Sequence, residues 1–155
     1  MELRVAALRV LVRGAVAGLL ATGVMSAVFS AAETFGMLGR KPPRIIVDHF
    51  LPSLGKKTAD RVALASHLAY GAAGGVVYAA LPVRSDSSPA ARARRGLVYG
   101  LLVWAASYEG WLPLMGILPA AHRDRRRRAF AIIAAHVVYG VSLGLLSTQA
   151  HEGAK

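Results

Sequence analysis

Gly14-Ala-Val-Ala-Gly-Leu-Leu-Ala-Thr-Gly-Val-Met-Ser-Ala-Val-Phe-Ser-Ala-Ala32 is a run of 19 residues without a charged side chain. About 20 apolar residues in an α-helix span the hydrocarbon core of a bilayer. Inside that core a helix satisfies its own backbone hydrogen bonds, which an open strand cannot do. Three more runs follow. Val62 to Val83 is 22 residues, interrupted only by His67; Gly96 to Ala121 is 26, interrupted only by Glu109; Ala129 to Ala150 is 22, interrupted only by His136. Each reads as one crossing. The expected fold is therefore all-α, a four-helix transmembrane bundle with helices over roughly residues 10–38, 60–82, 94–118 and 127–148. An even number of crossings puts both ends of the chain on one side. Nineteen residues is long for the apolar core of a signal peptide, so the first run is expected to stay in the protein.

Composition agrees. Apolar residues make up 55% of the 155-residue chain, and mean hydropathy is +0.45. With no cysteine, disulfides, thiolate metal sites and cysteine nucleophiles are excluded. The net charge is +11. A nucleic-acid-binding face would interleave Lys and Arg with polar and aromatic residues. Here Arg4, Arg9 and Arg13, then Arg92, Arg94 and Arg95, then Arg123 and Arg125 to Arg128 sit at the ends of apolar runs. That placement suits anionic lipid headgroups rather than nucleic acid. The cell membrane is the expected location.

The runs repeat. Arg13-Gly-Ala-Val-Ala-Gly-Leu-Leu20 aligns with Arg95-Gly-Leu-Val-Tyr-Gly-Leu-Leu102, identical at six of eight positions. His67-Leu-Ala-Tyr-Gly-Ala-Ala-Gly-Gly75 aligns with His136-Val-Val-Tyr-Gly-Val-Ser-Leu-Gly144. Between them, Glu33-Thr-Phe-Gly-Met-Leu-Gly39 resembles Glu109-Gly-Trp-Leu-Pro-Leu-Met-Gly116, with one residue inserted. Three blocks in the same order indicate a duplicated two-helix unit, residues 10–83 and 92–150. Two crossings per unit make the copies parallel, related by an axis along the membrane normal. Each crossing also carries two glycines four apart: Gly14/Gly18, Gly71/Gly75, Gly96/Gly100 and Gly140/Gly144. Such pairs let helix backbones approach closely, within the bundle first of all and in a homo-oligomer second.

Between the first two runs, Gly39-Arg-Lys-Pro-Pro-Arg-Ile-Ile-Val-Asp-His-Phe-Leu-Pro52 reads as a short interfacial helix after a proline stop. Arg84-Ser-Asp-Ser-Ser-Pro89 reads as a polar turn, and residues 151–155 as a polar tail.

Ionisable residues inside a crossing are costly and mark candidate sites. They are Glu33, His67, Glu109 and His136. The repeat places all four toward one membrane face. The expectation is that they point inward and that at least one Glu reaches a His. Two carboxylates and two imidazoles suit a divalent transition metal or a proton relay. The two histidines alone suit axial ligation of haem. The plainer alternative is a structural or accessory subunit in which these groups pair with each other, with Tyr70 and Tyr139, or with backbone carbonyls. No HExxH, nucleotide loop or nucleophile turn is present, so no enzymatic activity is expected. Pro113 and Pro119 are expected to break the third crossing.

Gly14-Ala-Val-Ala-Gly18, Gly36-Met-Leu-Gly-Arg-Lys-Pro-Pro-Arg44 and His67-Leu-Ala-Tyr-Gly71 together resemble small bacterial inner-membrane proteins of the YagU type. The resemblance implies a bacterial multi-pass membrane protein and brings no catalytic residue with it.

Overall fold

The computed structural model describes residues 2–81 and 88–147. Its elements are α1 (Glu2–Thr34), α2 (Pro42–Phe50), α3 (Lys56–Ala80), α4 (Pro89–Trp104), a π-helical segment (Ala105–Trp111), α5 (Leu112–Leu114), a single 3-10 turn (Ala121–Arg123) and α6 (Arg126–Leu146). No strand occurs among the described residues. The turn expected at 84–89 falls largely outside the described residues, and so does the tail at 151–155. Within α1, α3 and α6 lie helices long and apolar enough to cross a membrane.

The first three helices start or stop where local chemistry dictates. α1 ends in a Schellman motif: Gly36 adopts φ +67, Met37 N–H bonds Ala32 O at 2.8 Å, and Gly36 N–H bonds Glu33 O at 3.0 Å. α1 therefore ends at Thr34, four residues short of the expected end, and Pro42 opens α2 instead of closing α1. The short helix expected in this loop is present, with Val47 buried against Ala59 and Ala63 of α3.

The third apolar run differs from expectation. It is not one regular helix. After Trp104 the chain widens into the π segment, with Gly110 outside helical geometry at φ −101, ψ −108. Pro113 supplies the reason. It has no N–H for the Glu109 carbonyl, and its ring would clash with that carbonyl in an α-helix. Leu112 N–H bonds Ser107 O instead, five residues back. The break lies before Pro113, not at Pro119. A second Schellman motif follows, with Gly116 at φ +68 and Ile117 N–H on Leu112 O at 3.0 Å.

Packing is concentrated in three helix contacts: α1 with α3, α4 with α6, and α1 with α6. The first two are glycine contacts. A Cβ on Gly18 would overlap the Gly71 carbonyl oxygen and lie 2.9 Å from Gly75 Cα; a Cβ on Gly100 would overlap the His136 carbonyl oxygen and lie 2.8 Å from Gly140 Cα. A Cβ on Gly14 meets Gly75 O, and one on Gly96 meets Gly140 O. Both pairs are antiparallel, since residue numbers rise on one helix as they fall on the other. These glycine faces are thus used inside the chain. The α1–α6 contact is conventional packing, with Ala17, Ala21, Met25 and Phe29 of α1 buried in one cluster with Ala131, Ile132, Ala135 and Leu143 of α6.

The glycine contacts also fix a register that the sequence alignment misplaces. Positions 14, 18, 71 and 75 make the contacts that 96, 100, 136 and 140 make in the other pair. With Gly18 set on Gly100, His136 falls on Gly71 and His67 on Ile132, so the two aligned blocks are one helical turn out of step with each other. The alignment matched side chains, whereas packing matches the small residues that let the backbones touch. The Schellman glycines show a similar slip: Gly36, not Gly39, plays the part of Gly116.

Candidate functional site

α3 and α4 are not packed against each other along their length. The gap between them is the mouth of a cavity of about 390 Å³. Its back wall comes from α1 and α6, Pro42, Pro43 and Ile46 of α2 cover one end, and Trp111 and Leu112 also line it. The other end is closed where the Tyr78 and Tyr99 rings meet, 5.1 Å between centroids. Tyr70 and Val77 line the cavity yet remain 53% and 54% exposed, so its rim faces outward between α3 and α4.

The asymmetry between the two helix pairs makes this space. The second pair places His136 and Tyr139 at positions where the first has Gly71 and Gly74, one turn removed from the aligned residues. Large side chains of α6 thus reach over small positions of α3. Tyr139 Oη donates to Gly71 O at 3.2 Å, and a Cβ on Gly74 would stand 2.7 Å from that hydroxyl. Tyr99 Oη donates to Gly74 O at 2.7 Å. Two helical carbonyls on α3 so anchor aromatic side chains from α6 and α4.

His67 and His136 both line the cavity. His67 Nδ1 lies 3.3 Å from Ser26 Oγ, and its ring sits 5.8 Å from that of Phe29. His136 Nδ1 donates to the Ile132 carbonyl at 2.8 Å. A carbonyl only accepts, which assigns the proton to Nδ1 and leaves Nε2 as the second ring nitrogen. The plain alternative for this histidine, pairing with a backbone carbonyl, is what occurs.

The carboxylates do not join them. Glu33 pairs with Lys41 at 3.2 Å, and both side chains are about two-fifths exposed. Glu109 reaches the following loop, 2.9 Å from His122 Nδ1 and 3.2 Å from the His122 backbone N–H. A Glu–His pair is therefore present, but its histidine is His122 and not His67 or His136. The expected convergence of Glu33, His67, Glu109 and His136 does not form. Among the described residues no three His, Cys, Asp or Glu side chains group as a metal site would require. The physical reason is depth. Both acids sit near helix ends, where a basic or imidazole partner in a loop is closer than the interior.

Two polar clusters near these loops carry residues that the sequence did not single out beyond the arginines flanking its apolar runs. Arg44 hydrogen-bonds Asp48 at 2.8 Å and pairs with Asp60, tying α2 to α3. The Arg44 bond is the main reason that the Asp48 carboxyl is held below its ordinary value. On the other pair, Tyr108 Oη donates to Asp124 Oδ2, which also accepts from Arg128 Nε at 2.7 Å. Burial would raise the Asp124 carboxyl. Hydrogen bonds from Arg128, Tyr108 and the Arg125 backbone N–H outweigh it and hold that carboxyl below its ordinary value. The one signal in the sequence was a single acid, Asp124, set among five arginines.

In comparisons with protein-family models, with curated proteins and with solved structures, the chain matches none.

Proposed function

We propose that this chain is a multi-pass protein of the cell membrane that binds a membrane-soluble molecule in the cavity between α3 and α4. In this reading a duplicated two-helix unit crosses the bilayer four times, the third crossing being α4 with its π segment and α5. The observation that carries it is the cavity: enclosed by α1 and α6 at the back, capped by α2, open at its side, and holding both intramembrane histidines. Two half-buried imidazoles facing an apolar space are expensive unless something uses them. The role is binding rather than catalysis. Metal, haem or proton binding is supported here only by the two imidazoles, since Glu33 and Glu109 are engaged elsewhere.

Ala73 is exposed on the rim of the cavity. Protein with Ala73→Phe, which plugs the mouth, is purified in lipid nanodiscs beside wild type, and both are extracted for mass spectrometry. A molecule enriched over bulk lipid in wild type and lost from the variant supports the reading. Identical extracts favour a purely structural bundle. Crossing number is tested separately. The chain lacks cysteine, so single cysteines at Ser53, Ala90 and Ala120 report sidedness directly. Positions 53 and 120 should label with an impermeant maleimide from one side, and position 90 from the other.

A further inference from the structure

A ledger of donors and acceptors around the cavity narrows what it can hold. Most lining hydroxyl groups have already spent their proton on a backbone carbonyl. Tyr99 donates to Gly74 O, Tyr139 to Gly71 O, Ser107 to Val103 O at 2.8 Å, Thr22 to Gly18 O at 2.7 Å and Ser66 to Ala63 O at 3.2 Å. The Nδ1 proton of His136 goes to Ile132 O. No Asp, Glu, Lys or Arg lines the space. With no carboxylate there to balance an imidazolium, the neutral His136 ring keeps Nε2 as an acceptor, and no partner for it exists among the described residues. Tyr70, Trp111 and His67 also line the cavity; the Tyr70 hydroxyl and Trp111 indole N–H make no hydrogen bond among the described residues and can donate, while His67 has one ring nitrogen beside Ser26 Oγ and its other nitrogen without a partner among the described residues.

We infer that the cavity takes a neutral amphiphile whose head is a hydroxyl group, an alcohol or phenol on a slim apolar body, entering sideways from the bilayer between α3 and α4. This rests on the proposed binding role and specifies its ligand class. A hydroxyl satisfies both sides of the ledger: it donates to His136 Nε2 and accepts from Tyr70 or Trp111. An ether or ester can accept but leaves Nε2 bare, and a buried polar atom left unpaired is costly. A carboxylate or ammonium head would bring in a charge that no lining residue offsets. The apolar body fits the rest of the wall, where Met25, Phe29 and Val103 contribute. The mouth at Ala73 and Val77 faces the side of α3, so the tail need not pass through water.

Trp111 makes the test optical. Trp104 is replaced by Phe, which costs no hydrogen bond because Trp104 Nε1 has none. Trp111 then reports alone. The full-length variant is reconstituted in phosphatidylcholine vesicles and titrated with 11-bromoundecan-1-ol or with its methyl ether, bromine being the quencher. Saturable quenching by the alcohol is expected, with half-effect at a membrane mole fraction roughly tenfold below that of the ether, the value of about one hydrogen bond. His136→Phe should erase the difference, and His136→Gln, which keeps an acceptor, should preserve it. Ala73→Phe should weaken both probes without touching the histidine. Saturable quenching at equal mole fractions overturns the hydroxyl rule while leaving a binding cavity. Quenching that rises linearly with both probes and ignores Ala73→Phe overturns the cavity reading itself.

Discussion

His67 and His136 carry the same side chain but not the same position. His136 is held by the Ile132 carbonyl, whereas His67 has only Ser26 at 3.3 Å. His136→Ala should therefore cost about 0.5–1.5 kcal/mol of unfolding free energy for the lost hydrogen bond, and His67→Ala less, since the Ile132 carbonyl keeps its helical N–H partner either way. Equal losses in a detergent unfolding assay would restore the equivalence that the alignment of the two blocks suggested. Asp124 offers a test with a sign. Its carboxyl is held below its ordinary 3.8 in the fold. A depressed carboxyl contributes its stability fully above the unfolded value and loses it as pH falls through the folded one. Asp124→Asn should lower the melting temperature at pH 7 by the equivalent of about 3 kcal/mol, as loss of a buried ion-pair partner does. The gap to wild type should narrow as pH drops below about 4. A gap unchanged between pH 7 and pH 3 would mean that the charge is irrelevant. Four of the residues that matter here were legible in the sequence as ionisable groups within apolar runs. Their grouping was not. Hydropathy places Glu33 at the end of its run and Glu109 within its own, but says nothing of Lys41 or His122 folding back to meet them.

At the scale of helices, the glycine pairs were the most legible feature, because spacing by four puts both on one face whatever the neighbours are. The contact distances turn them into a graded prediction. Gly18→Ala and Gly100→Ala each force a methyl into a carbonyl oxygen and a backbone; each should cost about 1–3 kcal/mol, the range for overpacking. Gly23→Ala meets nothing within 4 Å. It should be neutral or stabilising by up to about 1 kcal/mol through helix propensity. Thermal unfolding of the three variants side by side checks the ranking, and a loss at position 23 matching that at 18 would refute it. The π segment was not legible. Pro113 announced a break, but a proline can be accommodated by a kink, by a stop or by widening upstream, and the choice depends on what Tyr108 and Ser107 find to pack on. Tyr108, in the π segment, is 1% exposed and holds Asp124.

Over the whole molecule, basic residues favour one orientation. If the chain crosses four times as proposed, the segments after the first and third crossings hold 11 Lys and Arg, at 40–61 and 123–128, against 8 on the opposite side. Lys and Arg collect on the cytoplasmic side of short loops, so those two loops should be cytoplasmic. A reporter fused after Lys155 should then be active only if it works outside the cytoplasm. Activity from a cytoplasm-only reporter would invert the topology. The all-helical class was readable from the apolar runs alone. The side-facing cavity was not, since it arises where two unequal helix pairs meet and neither pair contains it.

The pairing of α1 with α6 bears on how such a chain is made. α1 leaves the ribosome well before α6 and finds this inner partner only after Leu146 has been added. Until then Ala17, Ala21, Met25 and Phe29 have α3 beside them but no α6 over them. Synthesis at about 5–20 residues per second leaves that face waiting for several seconds. α6 thus closes this flank in time as well as in space.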